Sequence, residues 1–98
     1  MKELFHPNCA ELQLTSILYA LSDPIRLEIV RKLGKYSELS CNEFNIAVAK
    51  SSLSHHFKVL RESGVTRVQI NGTQRFISLR YEELSSRFPG LIDAIMNI

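Results

Sequence analysis

The 98-residue sequence contains few residues that could form covalent crosslinks or thiolate metal sites, since its only cysteines are Cys9 and Cys41. They show no paired spacing, so neither a disulfide framework nor a four-cysteine zinc site is indicated. No apolar run approaches the roughly 18 residues that a membrane-spanning helix needs. Signal peptides, internal repeats and low-complexity segments are also absent from the sequence. We therefore expect a cytoplasmic protein without a membrane partner.

Groups of residues that perform catalysis are missing as well. The four glycines form no phosphate-binding loop, and no nucleophile, base and orienting group stand at a supportive spacing. His55 and His56 are adjacent, but neighbouring helical residues point about 100° apart and cannot converge on one metal ion. We predict that the protein is not an enzyme and has no catalytic residues, no metal ligands and no cofactor.

The positive charge of the sequence is concentrated in one segment. The composition, with 45% hydrophobic residues, fits one domain over residues 1–98, and such small domains often gain stability by pairing. The formal net charge is only +2, but residues 50–80 contain six basic residues against the single acidic residue Glu62. This distribution favours a DNA-binding surface, although an ordinary solvated face can have the same composition.

Within that segment, residues 51–64 predict an amphipathic helix that ends at Gly64. Leu53, Phe57 and Leu60 share one narrow stripe, with His56 at its edge as a packing residue. The opposite side is polar and suits a phosphate-lined groove. His55 lies on this polar side, where it either contacts a base edge or is simply exposed to solvent.

A hairpin follows this helix. Residues 65–70 and 73–79 have strand patterns, and Asn71-Gly72 between them is a favoured two-residue turn in which both central residues take positive φ. A helix followed directly by a hairpin is typical of a winged helix. The fold class that we predict is mainly α with a small β-hairpin.

The preceding part of the chain predicts an arm and a first helix. Residues 1–9 have no helical periodicity, and we expect a flexible N-terminal arm. Residues 10–21 predict a helix with two apolar sides, one of them containing Leu12 and Tyr19. The other side contains Leu14, Ile17, Leu18 and Leu21, and we expect it to face the core.

Two further helices are predicted before residue 50. Asp23 and Pro24 have the properties of an N-cap and a first helical residue for a helix over residues 24–33. Ser40 and Glu43 have the capping-box spacing, so a short third helix should begin at Cys41. Together with the helix over residues 51–64, this third helix would form a helix-turn-helix.

The last predicted helix, residues 91–98, has too many apolar residues for a free chain end. The spare apolar sides of the first and last helices predict a homodimer interface. We expect this interface to contain Leu12, Tyr19, Leu91, Ile92 and Ile95.

Three stretches of the sequence resemble the ArsR family (ArsR/SmtB type) of bacterial transcriptional repressors. They are ALSDPIRLEIVRKL at 20–33, SSLSHHFKVLRESGV at 51–65 and NGTQRFISLR at 71–80. The resemblance covers residues 10–98 and implies a winged helix-turn-helix that dimerises through its first and last helices. It also implies a repressor whose partner is double-stranded operator DNA. If the protein is dimeric, its two recognition helices should enter successive major grooves, so we expect a palindromic site.

The resemblance further implies a set of DNA-binding residues. Those carried over by position, together with Lys50 at the entry to the helix, are Lys50, Ser51, Ser52, Ser54, His55, Lys58, Arg67, Asn71, Thr73 and Arg75.

The sequence departs from the metal-sensing members of that family. Where they hold a C-x-C pair after Glu-Leu, this chain has Ser40-Cys41-Asn42, and residues 81–98 contain no histidine. Cys41 is then a small packing residue, or else it acts with Cys9 in a metal- or thiol-redox-responsive repressor. A position at a helix N-terminus, which would lower the pKa of the Cys41 thiol, favours the second interpretation. A winged-helix module that binds protein is the other alternative.

Overall fold

The computed structural model describes residues 4–97, which form a helical domain with one small antiparallel sheet. The elements are α1 (Leu14–Leu21), α2 (Pro24–Leu33), β1 (Leu39–Ser40), α3 (Lys50–Ser63), β2 (Thr66–Asn71), β3 (Gln74–Leu79), α4 (Tyr81–Arg87) and α5 (Leu91–Met96). The strand order is β1-β3-β2. The predicted fold class, mainly α with a β-hairpin wing, is confirmed, and β1 adds a third strand that the sequence did not predict.

Helix α2 begins where the sequence predicts and lies in the core. The Asp23 carboxylate accepts hydrogen bonds from the backbone N–H groups of Ile25 (2.8 Å) and Arg26 (3.2 Å), and Pro24 occupies the first helical position. Ile29 and Val30 are fully buried. Helix α2 packs against α1, α3 and β3, and it therefore lies between α1 and α3 in the core.

Helix α1 is shorter than predicted, and this changes the position of Leu12. Residues 9–11 form a separate 3-10 turn, in which Glu11 accepts a hydrogen bond from the N–H of Asn8 (2.8 Å). Leu12 follows with extended backbone and is 2% exposed. It packs against Gly64, whose φ of +92° ends α3 and where a Cβ would overlap the Leu12 side chain. Leu12 is therefore a core residue of the domain and not part of an outer face.

The buried side of α1 also differs from the prediction. Ile17 and Ala20 are fully buried, whereas Leu14 and Leu18 are 44% and 47% exposed. Ala20 has no long side chain and lets neighbouring elements approach closely, so the core stripe passes through Ile17 and Ala20. The apolar surface that α1 leaves uncovered is therefore formed by Leu14 and Leu18 together with Tyr19.

The predicted third helix is only a 3-10 turn, Cys41–Glu43. The N–H of Ser40 donates to Glu43 (2.8 Å), as the capping-box spacing predicts. The turn does not continue as a helix, because Asn45, two residues after it, leaves the helical conformation. Phe44 is fully buried and its carbonyl oxygen accepts from Lys32 Nζ (2.5 Å), while Asn45 has a left-handed backbone with a φ of 59°.

The hairpin forms, with its turn one residue later than predicted. Asn71 pairs with Gln74, so the central residues of the turn are Gly72 and Thr73. Gly72 has a φ of 65°, and Asn71 and Thr73 do not have positive φ. Glycine at the first central position is typical of a type II′ turn, which also matches the twist of the strands.

The described part of the predicted arm, residues 4–9, is packed against the domain; residues 1–3 lie outside the described residues. Pro7 is buried. The carbonyl oxygens of Phe5 and Pro7 accept from Arg61 Nε (3.1 Å) and from Arg80 (2.8 Å). His6 Nε2 accepts from the backbone N–H of Val68 (2.9 Å) at the edge of the sheet. From Leu4 onward the arm is therefore held by side chains distant in sequence.

We predict that His6 makes the stability of the domain depend on pH. Burial lowers the pKa of His6, and the charges of Arg61, Arg67 and Arg80 act in the same direction. The unfolded chain takes up a proton near pH 6.5, where the folded protein does not, so stability present above about pH 6.5 is lost as the pH falls below it.

His6→Gln keeps an acceptor for Val68 but cannot titrate. Urea unfolding from about pH 8 to about pH 5 should therefore show a larger loss of unfolding free energy in the wild type than in this variant. Parallel pH profiles for the two proteins would contradict the role given to His6.

Candidate nucleic-acid interface

Helix α3 presents one polar and one apolar side, as the sequence predicts. Leu60 is fully buried, Leu53 and Phe57 are partly buried, and the Phe57 ring lies 5.1 Å from that of Phe44. The exposed residues on the other side are Lys50, Ser51, Ser52, Ser54, His55 and Lys58. Helix α3 corresponds to the recognition helix, the second helix of the predicted helix-turn-helix. Every residue of α3 predicted to bind DNA is therefore on the surface.

The N-terminus of α3 is suited to bind an anion. Its N-cap residue, Ala49, makes no side-chain capping hydrogen bond. The free N–H groups of a first helical turn and the helix dipole both attract negative charge. A phosphate could therefore be bound here by backbone N–H groups with Lys50 beside it.

A cleft of about 560 Å³ separates α3 from one face of the wing. Its cationic residues are Lys50, Lys58 and Arg61 on the helix and Arg75 on β3. Thr73 from the predicted set also lines the cleft, and Asn71 is exposed beside it at the tip. The structure thus brings together basic groups from two elements on one concave surface.

Sequence reasoning missed some residues of this cleft. Gln74, Asn42 and Asn45 line it but were not predicted as site residues. A signal existed for Gln74, because it is a polar residue between Thr73 and Arg75, which were both predicted as wing contacts. Asn42 and Asn45 gave no such signal, because the sequence predicted a helix in the region where the chain forms a 3-10 turn.

Arg67 lies away from the cleft. Side chains alternate across a strand, so Arg67 is on the opposite face of the sheet from Val68. Its guanidinium binds Glu83 of α4 (2.8 Å). The predicted DNA contact at Arg67 therefore has no support from the arrangement of the cleft.

Arg80 is also removed from the positive surface that the sequence indicates. It is 5% exposed and binds both oxygens of the Glu83 carboxylate (2.9 and 2.6 Å). The hydrogen bond from Arg80 is the main reason that the pKa of Glu83 lies below its ordinary value. Of the six basic residues in the segment, four therefore line the cleft, and one of these, Arg61, also donates from Nε to the carbonyl oxygen of Phe5.

The two adjacent histidines have separate surroundings. His55 is exposed, and the ring centroids of His55 and His56 are 5.9 Å apart. His56 is partly buried, as predicted, and its Nδ1 lies 3.1 Å from a guanidinium nitrogen of Arg26. Arg26, only 6% exposed on α2, was not predicted to matter.

Cys41 lies in the cleft wall with its thiol partly buried. Burial raises the pKa of this thiol, although the charge of Arg75 acts in the opposite direction. The expected lowering of that pKa by a helix N-terminus is wrong, because a single 3-10 turn supplies no extended helix dipole. Cys41 and Cys9 are both free thiols. Within residues 4–97, no three His, Cys, Asp or Glu side chains lie close enough together to hold a metal ion.

The residues predicted for a dimer interface fall into two groups. Tyr19 is 63% exposed, and Leu91 and Ile95 are partly buried on α5. Ile92 is 1% exposed and, like Leu12, belongs to the core of the domain. It is the one fully buried residue of α5.

None of the helices within residues 4–97 has the length and apolarity of a membrane span.

Comparison with known proteins identifies relatives of this chain. Residues 23–68 match the family described as bacterial regulatory protein, arsR family. The uncharacterised HTH-type transcriptional regulator YceK of Bacillus subtilis is 38% identical over 84 residues, which cover 81% of this chain and 82% of that protein. The arsenical resistance operon repressor of Staphylococcus xylosus is 33% identical over 73 residues, covering 74% of this chain and 70% of the relative.

Solved structures show the same fold. The transcriptional repressor BigR from Xylella fastidiosa superposes with a TM-score of 0.68 and 30% identity, over 86% of this chain and 83% of BigR. An ArsR-family transcriptional regulator superposes with a TM-score of 0.70 over 83% of this chain and 90% of its own, and at 24% identity it supports the fold alone. From these relatives and the family match we conclude that the chain belongs to the arsR family of bacterial regulatory proteins, and that it is a DNA-binding transcriptional regulator and not an enzyme.

Proposed function

We propose that the protein is a homodimeric repressor that binds a palindromic operator through α3 and the wing. The observation that carries this proposal is the cleft between them, where Lys50, Lys58, Arg61 and Arg75 surround one concave surface. The Staphylococcus xylosus relative and BigR are both named as repressors.

The residues of the cleft have different roles in this proposal. Lys50, Lys58 and Arg75 neutralise phosphates, because long cationic side chains bind the backbone of any sequence. Ser51, Ser52, Ser54 and His55 meet base edges in the major groove from the exposed side of α3. Asn71 and Thr73 contact the backbone or the minor groove from the wing tip. Arg67 is left out because Glu83 binds it on the other face of the sheet.

The dimer is supported by uncovered apolar surface. Leu14, Leu18 and Tyr19 on α1 are all at least 44% exposed, a state that isolated domains avoid when such residues are adjacent. Leu91 and Ile95 of α5 supply further apolar surface beside the protomer core. Pairing of two copies would place two α3 helices about 34 Å apart, which is one turn of DNA.

Selection of bound duplexes from a random pool by the purified protein tests the proposal directly. We expect the selected sites to be imperfect palindromes. The proposal would be contradicted if no sequence were enriched. If the same surface instead bound a protein ligand, the protein would be the winged-helix module that binds protein.

We predict that Arg75 and His55 affect DNA binding differently. Arg75→Ala should weaken binding to the selected operator and to random DNA alike, and should reduce the slope of affinity against salt by about one. His55→Ala and Ser54→Ala should each cost on the order of 1–3 kcal/mol for the operator and little for random DNA.

Arg67→Ala is the matched control, because Arg67 carries the same charge on the same hairpin but outside the cleft. Its salt slope should equal that of the wild type. The two roles are reversed if His55→Ala lowers both affinities equally while Arg75→Ala changes only operator preference.

We predict that Leu18→Glu disrupts the dimer. This change places a charge in the exposed α1 patch, which is costly to bury in an interface, and does not touch the buried Ile17 and Ala20. Sedimentation at micromolar concentration should show a dimeric wild type and a monomeric variant. Tyr36→Glu, at an even more exposed apolar position outside α1 and α5, is the control and should stay dimeric. A monomeric wild type would contradict the proposed assembly.

We predict that Cys41→Ser does not change how DNA binding responds to zinc, cadmium or arsenite. A single partly buried thiol in the cleft wall supplies too few soft ligands for a trigonal or tetrahedral site. Electrophoretic shifts across a metal titration measure this. Release of the wild type by micromolar metal that the substitution abolishes would establish the metal-responsive alternative.

A further inference from the structure

The buried guanidinium of Arg26 connects three helices, although Arg26 lies outside the cleft. Its Nε donates to the carbonyl oxygen of Ala20 (2.7 Å), and Nη2 donates to that of Tyr19 (3.3 Å). The guanidinium carbon also lies 5.3 Å from the centre of the Tyr19 ring. Since a guanidinium stays charged, its burial requires such partners. Arg26, on α2, is therefore bound firmly to the end of α1.

The remaining nitrogen of Arg26 reaches the recognition helix. Nη1 lies 3.1 Å from Nδ1 of His56 on α3. A guanidinium can only donate, so a hydrogen bond between these two atoms requires Nδ1 to accept and the ring proton to be on Nε2. Asp23 Oδ1 is 3.9 Å from the same nitrogen, beyond hydrogen-bond distance, and already accepts from two backbone N–H groups. Arg26 is thus the group that holds the His56 ring.

The contact matters because of where His56 lies on α3. It is the residue next to His55 and two residues from Ser54 and Lys58. Apolar packing of Leu53, Phe57 and the fully buried Leu60 selects the side of the helix that faces the core, but such packing is non-directional and leaves room for small rotations of the helix. A hydrogen bond has a preferred distance and angle, so it limits rotation of the helix about its axis.

We infer that Arg26 is a positioning residue for DNA recognition: through its hydrogen bond to His56 it sets the rotation of α3, and with it the direction in which Ser54 and His55 meet the bases. This inference rests on the proposed function. Arg26 itself touches no DNA.

The consequence is specific to sequence discrimination. Base-edge contacts need a defined geometry, whereas flexible lysine and arginine side chains can follow a phosphate through a small rotation of the helix. Loss of the Arg26–His56 bond should therefore reduce affinity for the operator more than affinity for random DNA.

Two substitutions of His56 test this. His56→Leu removes the acceptor, while His56→Asn keeps an acceptor oxygen at the same number of bonds from the backbone as Nδ1. With the duplex that the wild type selects from a random pool, His56→Leu should bind about tenfold more weakly, and with a random duplex within about twofold of wild type. His56→Asn should restore most of the discrimination.

Arg26→Lys is a second variant, with one nitrogen in place of three, and the same loss of discrimination is expected for it. The matched control is Ser63→Ala, which removes a hydroxyl that donates to the Leu60 carbonyl near the end of α3 (2.9 Å). This control should change neither affinity. NMR of the ring nitrogens in the wild type provides a measurement that needs no variant, and it should place the His56 proton on Nε2.

Two results would overturn the inference alone. One is a His56 proton on Nδ1 in the wild type, and the other is an unchanged ratio of operator to random affinity in folded His56→Leu and Arg26→Lys. A wild type that does not prefer its selected duplex over random DNA would instead overturn the proposed function, and the inference with it.

Discussion

Burial of one side of α3 is the constraint on which the rest of the structure depends. Leu60 is fully enclosed and Phe57 packs against the buried Phe44, so the apolar side of the helix faces the core. The polar side must then point outward beside the wing. The preceding turn is short because Asn45, directly after the buried Phe44, has a left-handed backbone that ends the helical conformation before the connection to α3. Packing of apolar groups thus determines where the polar groups of the cleft lie.

Arginines hold backbone carbonyl groups at several places where the chain has no regular structure. Arg61 and Arg80 bind the arm at Phe5 and Pro7, and Arg87 binds the carbonyl oxygens of Cys9 and Leu12. Buried or partly buried carbonyl groups need donors, and a guanidinium can serve several at once. These arginines therefore stabilise the domain. Basic residues counted along a sequence overstate the charge available to DNA when, like Arg80, some of them have this structural role.

Local signals in the sequence predicted the elements that depend on neighbouring residues. Asp23 and Pro24 start α2, Gly64 ends α3, and the polar face of α3 is on the surface. The failures include local signals that the prediction overlooked as well as contacts between distant residues. The N–H of Asn8 donates to the Glu11 side chain, and this hydrogen bond stabilises a 3-10 turn that is separate from α1. Leu12, the residue after this turn, is then buried against Gly64. The hairpin turn moved by one residue because pairing of Asn71 with Gln74 leaves Gly72 as the residue with positive φ.

The sequence by itself determined the fold class, the family and the recognition helix, because helical periodicity, capping residues and a short turn motif act over a few residues. Only the tertiary structure decided which charges can act on DNA. Alternation of side chains across β2 directs Arg67 towards Glu83, and Arg80 donates to the carbonyl oxygen of Pro7 in the arm. Arg75, in contrast, remains in the cleft. It also decided that His56 is held by Arg26, thirty residues earlier in the chain. Such contacts depend on how α2 and α3 pack, and the directions of side chains across two packed elements cannot be read from either element alone.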